Sequence, residues 1–213
     1  MEKGFGKEIL VIIIAAIILG LSVSFLDVSL LLISTISFII IIGANVAVKK
    51  IYAYSLEADT KTKFWEWYQY GFPRAAHFKK PLPMMWLPLV LSLISKGFFW
   101  WLAILEFDVK PRVERVSRRH GLYRFSEITD WHVALIASVG IVINLILAII
   151  GYIVASWLPA AEQFATLSIY FAAWSIIPLG SLDGSKIFFG SRALWFTLLV
   201  IVGIFLGYSF MVV

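Results

Sequence analysis

The stretch IIPLGSLDGSK, residues 176–186, decides how this chain is read. An apolar run reaches Pro178 and then meets Asp183, the last acidic side chain in the sequence, followed at once by Gly184. Asp183 is either a turn residue at a helix end or a ligand. The surroundings have to say which.

Composition sets the class. Of 213 residues, 61% are hydrophobic and 15% charged, and the mean hydropathy is +0.92. Soluble domains carry about 25% charged residues. An integral membrane protein with one membrane domain over 1–213 is the expectation. The chain has no cysteine, which excludes disulfides, thiolate nucleophiles and Cys-based zinc sites. Eighteen Lys and Arg against 13 Asp and Glu leave a surplus of +5. In a membrane protein such a surplus reports topology and anionic headgroups rather than nucleic acid, so lipid is an expected partner and nucleic acid is not.

A hydrocarbon core of about 30 Å needs roughly 20 apolar residues in a helix. Spans are expected at 9–26, 28–48, 131–157, 163–180 and 192–212. A sixth apolar segment, 84–105, contains Pro88 and, near its centre, Lys96 and Gly97. Charge placement decides how it is treated. Seven Lys or Arg lie in 49–83 and six in 106–130. If 84–105 crossed the membrane, these basic loops would face opposite sides, against the positive-inside rule. The expectation is therefore five spans plus a re-entrant or interfacial 84–105, with six ordinary spans as the alternative. The N-terminus and both basic loops then face the cytoplasm and the C-terminus faces outside, in the plasma membrane of a prokaryote. This topology brings Asn45 to Lys49, at the end of the second span, to the same depth as Asp183.

These residues resemble a family. PLGSLDG, preceded by an apolar aromatic helix, is similar to the Leu-Pro-x-x-x-Leu-Asp-Gly element of site-2 proteases, the intramembrane zinc metalloproteases. SVGIVINLILAII at 138–150 looks like the family's Gly-x-x-x-Asn helix, with Gly140 and Asn144 in the motif positions. The resemblance implies an all-α polytopic fold with a site-2-protease-like helical core, and it makes Asp183 the third zinc ligand. The family's other ligands come from His-Glu-x-x-His, in which histidines at i and i+4 bind zinc and the Glu acts as general base. In the corresponding place this chain reads IIGANVAVKKIYAY, with Asn45 and Lys49 at the His positions and Val46 at the Glu. A protonated Lys has no lone pair to donate, and Val takes no proton.

The expectation is accordingly a catalytically inactive relative, a pseudoprotease without a cofactor, that binds a transmembrane partner or serves in a larger membrane assembly. A Lys49–Asp183 ion pair would replace the zinc link between two spans, because an unpaired carboxylate at membrane depth is costly. In the plainer reading Asp183-Gly184 is only a turn and Lys49 lies among headgroups. Other readings stay open. One is an active zinc metalloprotease with a site rebuilt from Asp183, His132 and His77 or His120. Another is a transporter or channel component, although the spans hold almost no ionisable groups and show no inverted repeat. Asn144 is expected either to hydrogen-bond between helices or to line the core that faces substrate in the family. Ser126, Thr129 and Asp130 supply capping chemistry before the span that starts at 131.

Overall fold

The structure is a computed structural model, and it describes residues 2–25, 27–69, 77–112 and 128–212. Helix α1, Glu2–Ser24, turns at Asp27 into α2, Val28–Ser55. Asp27 makes the turn abrupt by capping α2: its Oδ1 accepts the Ser29 amide at 3.0 Å and the Leu30 amide at 3.5 Å, satisfying N–H groups that the first helical turn leaves free. Two antiparallel ribbons follow. Strand β1, Ala58–Phe64, pairs with β4, Leu105–Pro111, in a register from Ala58↔Pro111 to Phe64↔Leu105. Strand β2, Glu66–Gln69, pairs with β3, His77–Pro83, with an irregularity between Trp67 and Gln69. The chain is thus mostly helical rather than all-α. Lys61, Lys63 and Lys79, expected in basic loops, lie on these strands.

Between β3 and β4 the segment 84–104 folds back on itself. A short 3-10 turn, Met84–Trp86, leads into α3, Leu87–Ile94, which is pinned to α1. The Ser22 hydroxyl donates to the Pro88 carbonyl at 3.0 Å, and the Ser92 hydroxyl donates to the Ser22 carbonyl at 2.6 Å. The chain then reverses at Lys96 and Gly97, both with positive φ, and residues 98–104 return without regular secondary structure. Gly97 stands where a Cβ would lie 2.8 Å from the Phe25 ring, so the reversal reaches the α1–α2 turn. Lys96 is exposed there, beside the α1–α2 turn rather than midway along the helices. Residues 84–105 do not form one continuous helix.

The remaining helices are α4, Asp130–Ala155; α5, Ala160–Ser175; α6, Asp183–Gly190; and α7, Arg192–Val212. Four helices are long and apolar enough to cross a membrane: Gly6–Ser24, Val28–Ser55, Asp130–Ala155 and Arg192–Met211. Their outward faces are apolar, with Leu10, Leu32, Ile36, Ile153, Val200 and Ile204 all exposed, as expected of surfaces that meet lipid rather than water. The expected span 163–180 is different. Helix α5 stops at Ser175 after 16 residues, about 24 Å at 1.5 Å per residue, and 176–182 continue without regular structure. Non-helical backbone at such depth is tolerated when protein covers it. Here Ile176 and Leu182 are each 2% exposed, and the Ile176 carbonyl accepts the Trp195 indole at 2.9 Å.

Candidate functional site

Asn45 and Lys49 stand one turn apart on α2, both buried, on the side that meets α4. The Asn45 amide donates to the Gly140 carbonyl at 2.8 Å. Lys49 extends past Gly140 and its Nζ forms an ion pair with Asp183 Oδ2. Gly140 makes this route possible, since a Cβ there would strike Lys49 Cε and approach Asn45 Nδ2 to 2.9 Å. Val46 packs in the apolar cluster with Ile42 and Phe171.

Asp183 opens α6, where a carboxylate is favoured by the helix dipole. Gly184 lets that helix start press against the Ile176 carbonyl, which a Cβ would strike. Lys49 and Asp183 are each 6% exposed. Removing one partner of such a buried pair strands the other charge, at a cost of about 3–5 kcal/mol.

Phe107 of β4 closes the site from the third side. Lys49 Nζ lies 4.7 Å from its ring centroid. Lys186, three residues after Asp183, places its Nζ 3.8 Å from the same ring and donates to the Phe107 carbonyl. Burial pushes the Lys186 amine down to about 8, with Asp183 pulling the other way. Beside it Glu106, 3% exposed, accepts from Lys63 at 3.0 Å, and Lys63 also reaches Asp108 at 3.0 Å. Burial raises the Glu106 carboxyl against the opposing effect of Lys63. For Lys63 burial acts downward, yet the hydrogen bonds to Asp108 and Glu106 prevail and raise it.

What remains open among these residues is a cavity of about 30 Å3, bordered by Asn45, Lys49, Ser175 and Asp183. That accommodates a water molecule or two but not a peptide.

The donor set does not suit zinc. Asn45, whose N–H is held by the Gly140 carbonyl, offers only an amide oxygen, which suits harder cations than zinc; the Lys49 ammonium has no lone pair, and Asp183 is engaged with Lys49. Among the described residues no group of three or more His, Asp or Glu is placed to hold a metal. His132 caps α4, its Nδ1 lying 3.0 Å from Thr129 Oγ1 and accepting the Thr129 amide at 3.3 Å. His77 belongs to β3. His120 lies outside the described residues, as do Ser126 and the arginines at 118, 119 and 124.

Asn144 is fully buried. Its backbone carbonyl accepts the Ser168 hydroxyl at 2.7 Å, while neither polar atom of its side chain has a partner among the described residues. The interhelical bond at this level is therefore made by Ser168, and among the described residues the Asn144 amide makes none.

Sequence reasoning missed Phe107, Glu106 and the contact of Lys186 with Phe107. A signal for Lys186 existed, because residues i and i+3 share one face of a helix. None existed for Phe107, which reaches the site through the pairing of β4 with β1. Comparison with protein-family models, with curated proteins and with solved structures gives no match.

Proposed function

We propose that this chain is a catalytically inactive membrane protein of the site-2-protease type, a pseudoprotease that binds a transmembrane partner or acts as a subunit of a membrane assembly. One observation carries the reading: Lys49 and Asp183, at two positions that the resemblance assigns to metal ligands, form a buried ion pair with each other. An ammonium at the metal position supplies the positive charge that a carboxylate there requires. It provides no Lewis acid and activates no water. The cross-link between α2 and α6 is kept and hydrolysis is lost.

The expected topology belongs to the same proposal. The end of the bundle that holds Lys49, Lys50 and the ribbons faces the cytoplasm, and the end that holds Asp27 and Lys96 faces outside. Basic side chains on the ribbons then lie near anionic headgroups.

The test is elemental analysis of the purified protein together with a cleavage assay on a single-span substrate in detergent. The proposal expects no bound zinc and no cleavage. Stoichiometric zinc that disappears in Asp183→Ala would overturn it in favour of an active metalloprotease.

A further inference from the structure

A second cavity, of about 310 Å3, opens at the other end of the bundle. It is lined by Val23 of α1, Trp100 of the returning segment, and Glu162, Gln163, Thr166 and Leu167 of α5. Gln163 marks its depth, because its Nε2 donates to Ser34 Oγ at 3.1 Å. Ser34 is 15 residues from Lys49 along α2, about 22 Å at 1.5 Å per residue. The cavity is a separate place from the ion-pair site, and its volume is that of a small-molecule site.

Its polar groups have one character. The Glu162 carboxylate has no ion pair among the described residues. Thr166 Oγ1 is buried without a hydrogen-bond partner. Gln163 spends an N–H on Ser34. Trp100 spends its indole N–H on the Gly97 carbonyl at 2.9 Å, which leaves only its ring to a ligand. What remains unspent is a negative charge, a hydroxyl, the amide oxygen and second N–H of Gln163, and an aromatic surface. An anion would meet Glu162 with no cation to offset it. A ligand bearing positive charge and N–H or N–CH3 groups meets a counter-ion and an aromatic wall. The dipole of α5 accounts for a carboxylate in its first turn, but not for the unpartnered Thr166 hydroxyl one turn further in.

We propose that this cavity binds an organic ammonium ion the size of ethanolamine or choline, with Glu162 as counter-ion and Trp100 as aromatic wall. The source is a free amine or the headgroup of an amine-bearing lipid.

The test is a titration of the full chain, purified in a maltoside detergent, with choline and with its neutral carbon isostere 3,3-dimethyl-1-butanol, read by tryptophan fluorescence and melting temperature. Choline is expected to bind and to raise the melting temperature, and the isostere to do neither. Glu162→Gln is expected to weaken choline binding at least tenfold, and Thr166→Val to weaken it less. Equal responses to choline and isostere, or unchanged choline affinity in Glu162→Gln, would overturn the proposal. Repeating the titration in phosphatidylethanolamine and phosphatidylglycerol nanodiscs separates the sources. Weaker apparent choline binding in the ethanolamine lipid supports the assignment with lipid as occupant. Equal binding in both supports it with a free amine as occupant.

Discussion

Lys49 reaches Asp183 across Gly140: the lysine stem lies against the α4 backbone at a position where α4 has no side chain. Gly140 on α4 and Asn45 and Lys49 on α2 are thereby parts of one packing arrangement. Gly140→Ala is expected to destabilise the protein by about 1–3 kcal/mol, the usual range for overpacking. In a Lys49→Ala background the same change should cost markedly less, because the stem it displaces is gone. Thermal melting of the four proteins in detergent measures this, and an equal cost in both backgrounds would contradict the packing account.

The ion pair predicts a non-additive cycle. Lys49→Met and Asp183→Asn should each cost about 3–5 kcal/mol by stranding a buried charge. The double variant should be more stable than the sum of the single costs implies. Additive effects would show that the two groups do not depend on each other.

A third prediction concerns the irregular stretch before α6. The Trp195 indole donates to the Ile176 carbonyl, the group against which Gly184 is packed. Trp195→Phe keeps the ring and removes the donor, at an expected cost of about 1 kcal/mol. Gly184→Ala should cost more, since it forces backbone apart, and proteolysis should then cut more readily within 176–182.

The pH dependence has a definite sign. The Lys186 amine titrates near 8 in the folded protein, against 10.5 for an ordinary lysine. Between those values the unfolded chain binds the extra proton, so stability rises with pH, by up to about 3 kcal/mol over the window. Lys49, Asp183, Glu106 and Asp108 act on the same amine, so the variant carries the test. The rise in melting temperature from pH 7.5 to 9.5 should shrink in Lys186→Met. Lys63, raised in the fold, contributes with the opposite sign only above 10.5.

Much of the architecture follows from residue pattern alone. Unbroken apolar runs give α1, α2, α4 and α7, because a helix satisfies its own backbone wherever lipid surrounds it. Residue 27, left between the expected spans 9–26 and 28–48, places the α1–α2 turn. The folding back of 84–104 follows from charge balance and from a lysine and glycine at its centre. Asn45, Lys49 and Asp183 are legible as neighbours because i and i+4 share a helix face and span depth is countable.

The rest depends on contacts between segments distant in sequence. Helix α5 stops short of Pro178, which hydropathy does not show, because Trp195 and neighbouring protein replace the hydrogen bonds that lipid cannot supply. The reversal at Lys96 and Gly97 lies beside the α1–α2 turn because Gly97 packs against Phe25, a contact between segments distant in sequence. Phe107 and Glu106 join the lysine cluster through the β1–β4 register. Composition and unbroken apolar runs determined that this chain forms helices long and apolar enough to cross a membrane. Only the tertiary structure decided which buried charges neutralise one another, because that depends on distances set by three separate elements, α2, α6 and β4, and local pattern carries no information about them.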